Sequence, residues 1–128
     1  MMEFNFVAII LGGLLYMAFG AFYYSPILFG KKWAVLNNVD LKEAGAKPFV
    51  SAIAVAFLNS ILMATLVELT STETVSGAVV LGLIVSAILS FSYFKNMMFG
   101  MMKKSVFLIA IGDHVIILTI LSILHTMF

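Results

Sequence analysis

The residues best able to do chemistry are Asp113 and His114, adjacent in an otherwise apolar stretch over residues 106–127. That stretch is long enough to span a bilayer. An aspartate at the centre of such a span costs ~2.5–3.5 kcal/mol on insertion scales, so it should face a bundle interior or a wet cavity. Neighbours on a helix point about 100° apart, which predicts different partners for the two side chains. Asn59 and Ser86 fall near the middle of two other apolar stretches, so Asn59, Ser86, Asp113 and His114 can form one polar layer. The layer has two readings. One is a structural clasp between helices, each bond worth about 0.6–2 kcal/mol. The other is proton or ion handling, the default for ionisable groups inside a membrane. The clasp is preferred, because a lone acid–imidazole pair is no relay.

A second polar contact is expected where two helices end together, between Glu68 and His125, with Glu3 as a further candidate. His114 and His125 lie about 16 Å apart along one helix and cannot share a metal. No metal-ligand spacing such as H-E-x-x-H occurs, and no metal or cofactor is expected. The thioethers of Met97, Met98, Met101 and Met102 suit Cu(I) in principle, but beside a lysine-rich loop without cysteine they read as flexible apolar packing. P-loop, dinucleotide and nucleophile-elbow motifs are missing, and the chain reads as a non-enzyme. Acid–base chemistry on a lipid by Asp113 and His114 is the remaining enzymatic option.

The elements that must position these groups follow from composition. Hydrophobic residues make up 63% of the 128 residues and charged ones 10%, with a mean hydropathy of +1.17. A soluble domain carries about 25% charged residues, so most of this surface must face hydrocarbon. Four stretches approach the roughly 20 residues that cross a ~30 Å core: 5–29, 49–69, 75–94 and 106–127. The fold expected is all-α, a single four-helix transmembrane domain. Loops 30–48 and 95–105 hold all seven lysines, and the turn at 70–74 holds none. Short lysine-rich loops stay cytoplasmic, which predicts both loops inside and both termini outside. The first charge is Glu3, not the basic residue of a secretory leader, so the first stretch reads as a retained helix. A net charge of +1 offers no field for nucleic acid.

Small residues recur every four positions on three helices: Ala8, Gly12, Tyr16, Gly20 and Tyr24; Ala52, Ala56, Ser60 and Ala64; Ala78, Gly82, Ser86 and Ser90. Such ridges let helices approach closely in lipid. They predict a tight bundle, with surface left for copies of the chain. Leu11-Gly12, Tyr23 and Phe29-Gly30 are matched seventy positions on by Leu81-Gly82, Tyr93 and Phe99-Gly100, as two parallel hairpins would give, but chance similarity from biased composition is the preferred account. In the first loop, Asp40 and Glu43 have capping-box spacing, which allows a short interfacial helix over 41–46. A plain solvated linker is the equal alternative.

The segment Tyr23-Tyr24-Ser25-Pro26-Ile27-Leu28-Phe29-Gly30-Lys31-Lys32-Trp33 resembles the signature of a family of small bacterial membrane proteins, the domain of unknown function 1761 family. Tyr23 stands where that signature more often has Trp. The resemblance implies an integral protein of the bacterial cytoplasmic membrane and carries no activity. Independently of it, Pro26 should kink or end the first helix, and Gly30 can take the positive φ of a helix stop. Tyr23, Tyr24 and Trp33 then read as anchors at the headgroups. The function expected is a self-associating structural or accessory component. The alternative is a minimal homo-oligomeric channel or transporter for an ion, proton or small solute, built on Asp113 and His114.

Overall fold

The computed structural model describes residues 3–40 and 42–128, and it is helical, with no strand among the described residues. Its helices are α1 (Phe6–Tyr23), α2 (Gly30–Asn37), α3 (Lys47–Leu69), α4 (Val75–Met98) and α5 (Lys104–Met127). All but α2 are long and apolar enough to cross a membrane. The protein is a multi-pass membrane protein, a bundle of four spans with one short helix added.

The chain pairs as two hairpins, α1 with α3 and α4 with α5, and α5 also packs against α1, α2 and α3. Helix α5 is therefore the centre of the bundle. Met63, Ile117, Leu118 and Leu121 form its buried core. The small-residue ridges lie at these seams: Ala8, Ala56, Ser60, Ala78 and Ser86 are at most 1% exposed. Glycine is required where backbones touch. A Cβ on Gly82 would sit 2.6 Å from the Thr119 Cα, and one on Gly12 would collide with the Ser60 hydroxyl. These ridge positions pack within the chain, while Gly20 and Ala52 of the same ridges stay open.

Helix ends depart from the expected boundaries for identifiable reasons. Helix α4 runs on past Lys95 and Asn96, because a membrane helix ends where its carbonyls are capped and not at its first polar residue. Its stop is Gly100 at φ 77°, with Gly100 N–H donating to Met97 O and Met101 N–H to Asn96 O, the bond pair of a Schellman cap. The 70–74 turn uses the same cap on Ser71, φ 48°. No helix forms over 42–46, and Leu41 lies outside the described residues. Asp40 there closes a turn by accepting from Lys42 N–H at 2.9 Å. The helix within that loop is α2 instead.

The largest departure is α1. It ends at Tyr23, six residues before the expected end at Phe29, and residues 24–29 form turns. Pro26 accounts for the stop, since it lacks an N–H and disfavours helix at Ser25. With 18 residues α1 is about 27 Å long, against about 36 Å for the 24 residues of α5. The two start level at one end, where Asn5 Nδ2 donates to Phe128 O at 3.0 Å. At the other end the turn and α2 cover what α1 leaves of α5, and Lys103 Nζ donates to Leu36 O at 2.8 Å. All seven lysines gather at that end, while Glu3, Glu68 and Glu73 lie at the opposite one.

Candidate functional site

The early stop of α1 brings the Tyr23–Trp33 segment against the middle of α5. Tyr23 Oη donates to Ile109 O at 2.6 Å, and Tyr24 Oη donates to Asp113 Oδ2 at 2.9 Å. Ile109 and Asp113 lie about 7 and 13 Å along α5 from its lysine-rich start. By helix length, the turn at 24–29 begins about 27 Å from the start of α1, near the lysine-rich edge of a ~30 Å hydrocarbon core. Its amides at Ser25, Leu28 and Phe29 are satisfied locally, by Phe22 O, Ser25 O and Tyr23 O. The Ser25 hydroxyl is buried without a partner among the described residues.

Tyr23 and Tyr24 thus turn their hydroxyls onto α5. Tyr23 is only 6% exposed, and its ring lies 4.9 Å from Phe29 and 5.1 Å from Tyr24. Trp33 meets Tyr24 edge-on at 5.8 Å. Pro26 and Lys31 are exposed. Gly30 opens α2 instead of stopping α1, and its φ is not positive. What requires glycine there is close approach, since a Cβ would run into the Tyr24 carbonyl.

Behind the break lies a cleft of about 790 Å³ between α1, α2 and α3. Tyr24, Ser25, Pro26 and Gly30 form one wall, Pro48, Phe49 and Ala52 of α3 another, with Trp33 on α2 and Asp113 deep inside. Gly20 faces open space, with nothing within 4 Å of its Cβ position. The lining is largely apolar. Its functional groups are one carboxylate, the hydroxyls of Tyr16, Tyr24 and Ser25, and the Trp33 indole.

The predicted polar layer divides into pairs. Asn59 Nδ2 donates to Tyr16 Oη at 3.2 Å. Ser86 Oγ lies 2.7 Å from Gly82 O and 3.3 Å from His114 O, so it meets the backbone of His114 and not its ring. His114 turns Nδ1 to Ala110 O at 2.7 Å, and its ring meets Tyr93 edge-on at 5.5 Å. Asp113 and His114 line different cavities. His114, Asn59 and Tyr93 border a second groove of about 670 Å³ between α3 and α4, and Tyr16 lines both.

The expected Glu68–His125 contact is replaced by another. His125 Nε2 lies 3.0 Å from Ser60 Oγ, which donates to Ile9 O at 2.8 Å, so three helices meet there beside Gly12. Glu68 is exposed: α3 presents Ser60 and Val67 inward, and Glu68 lies about 80° off that face. Among the described residues no group of three His, Cys, Asp or Glu side chains could hold a metal ion.

Sequence reasoning missed Tyr16 and the inward role of Tyr24. The signal was the α1 ridge, where Tyr16, Gly20 and Tyr24 alternate large and small on one face, the face that lines the cleft. No curated protein and no solved structure matches the chain. A family model does match, over residues 7–126, and the chain belongs to that family, described as protein of unknown function (DUF1761).

Proposed function

We propose that the protein binds a small amphiphilic molecule in the α1–α2–α3 cleft and passes it along or across the membrane, with Asp113 and Tyr24 as the polar contacts. The observation that carries this reading is the early end of α1: the non-helical turn at 24–29 lines a cavity that also holds the Asp113 carboxylate. The cavity volume of about 790 Å³ lies within the ~300–1,000 Å³ range of ligand pockets. The reading is non-enzymatic, with the bilayer and a small solute as partners. It places the protein in the bacterial cytoplasmic membrane. The lysine-rich end faces the cytoplasm and both termini face out, because short lysine-rich loops are retained inside.

Trp33 is the chain's single tryptophan and lines the cleft, so it reports on an occupant. In nanodiscs, energy transfer from Trp33 to the neutral probe N-phenyl-1-naphthylamine should saturate. Gly20→Leu, which fills the cleft, should abolish the saturable part. Transfer that rises only linearly with probe, unchanged in Gly20→Leu, overturns the reading.

A second reading, a self-associating structural or accessory component, is favoured by the open α3–α4 groove, which a neighbouring copy could cover. Cross-linking from Ile84→Cys in that groove should then yield a discrete oligomer. A monomer at every protein-to-lipid ratio rejects it.

A further inference from the structure

We infer that the occupant of the cleft is a lipophilic organic cation, its charge held by Asp113 and its apolar body by the aromatic wall. The inference rests on the proposed cleft function and names its ligand class. Three observations carry it. The first is the state of Asp113. The one hydrogen bond its carboxylate receives among the described residues comes from Tyr24, a neutral donor to Oδ2. The adjacent His114 turns to the Ala110 carbonyl and the other cavity. The lysines lie on α2, in the loops and at the helix ends near them, and Lys104, the lysine nearest on α5, is about 13 Å away along the helix. A carboxylate in a low-dielectric cleft without an ion-pair partner is relieved either by taking a proton or by a cationic ligand, and the aromatic lining favours the ligand.

The second observation is the lining. Tyr16, Tyr24, Trp33 and Phe49 surround the cleft, and aromatic faces attract a cation within about 6 Å, most strongly when it is desolvated. Apart from Asp113 the cleft offers hydroxyls and an indole, all neutral. An inorganic cation would lack the several oxygen ligands it needs to replace its water. A bulky organic cation carries a diffuse charge and needs no such shell.

The third is access. Pro48 and Phe49 begin α3 at the lysine-rich end, Trp33 lies on α2 beside them, and Asp113 lies about 13 Å along α5 from that end. An amphiphile entering from the membrane interface therefore meets aromatic surface before the charge.

Tetraphenylphosphonium and tetraphenylborate share a shape and differ in sign, so together they isolate the charge. In nanodiscs, tetraphenylphosphonium should displace N-phenyl-1-naphthylamine from the wild-type protein and tetraphenylborate should not. Asp113→Asn, whose amide oxygen still accepts from Tyr24, should weaken the cation by about tenfold or more while the neutral probe still binds. Asp113→Glu should restore much of the loss. Retained saturable binding of the neutral probe by Asp113→Asn guards against a fold defect in that variant. If the neutral probe binds saturably but both ions displace it equally, or if Asp113→Asn leaves the phosphonium unaffected, the cation inference is wrong and the cleft reading stands. If the neutral probe shows no saturable binding, both fall.

Discussion

Adding one methyl group at Gly30 should destabilise the protein, and adding one at Gly20 should stabilise it. A Cβ at Gly30 would run into the Tyr24 carbonyl oxygen and lie 2.9 Å from Ser25 O. Neither atom can move aside freely. Tyr24 is tied to Asp113 at 2.9 Å, Tyr23 to Ile109 O at 2.6 Å, and Gly30 N–H to Ser25 O at 3.0 Å. Forcing an extra carbon into a packed site costs about 1–3 kcal/mol. Gly20 lies inside α1 with nothing within 4 Å of its Cβ position, and alanine there recovers the roughly 0.8–1 kcal/mol by which glycine weakens a helix. The two variants should differ by about 2–4 kcal/mol, on either side of wild type. Unfolding by SDS titration in mixed micelles, followed by Trp33 fluorescence, measures both. Gly30→Ala at or above wild-type stability refutes the close turn after α1. A loss of more than about 1 kcal/mol in Gly20→Ala refutes the open cleft.

Gly82→Ala should cost about 1–3 kcal/mol in the same assay, because its Cβ meets the Thr119 backbone and not a side chain that can swing away. Ser60→Ala should cost about 0.6–2 kcal/mol, and a double-mutant cycle with His125→Ala should show coupling; additive losses would deny the contact. Lys103→Ala should change stability by less than about 0.5 kcal/mol, since its bond to Leu36 O is exposed. A cysteine at Ser71 should react with an impermeant maleimide from the outer face, and reaction only from the cytoplasmic face would reverse the proposed orientation.

The spans were legible because hydrocarbon imposes one requirement along the whole length of a helix, and the four apolar stretches met it. The seams were legible too, since Ala8, Gly12, Ala56, Ser60, Ala78, Gly82 and Ser86 recur at one-turn spacing and pack where that ridge predicts. The site was only half legible. Asp113 stood out by its insertion cost and Tyr24 by its motif, but aromatic residues beside a proline and lysines fit a headgroup anchor just as well as a buried turn. The sequence did not record the register of α1 against α5, which puts both phenol hydroxyls within reach of Ile109 O and Asp113. His125 illustrates the same limit. Its partner was sought among acids at the helix ends, whereas the close approach allowed by Gly12 put the Ser60 hydroxyl in reach first.

The break in α1 and the cleft it opens onto Asp113 are the centre of this account. A crystal structure grown from a lipidic mesophase in the presence of tetraphenylphosphonium tests them together. The account predicts an α1 that stops at Tyr23, Tyr24 within hydrogen-bonding distance of the Asp113 carboxylate, and phosphonium density between Trp33 and Asp113. A helix continuous through Phe29, with Asp113 packed dry against its neighbours and the cleft closed, would contradict it.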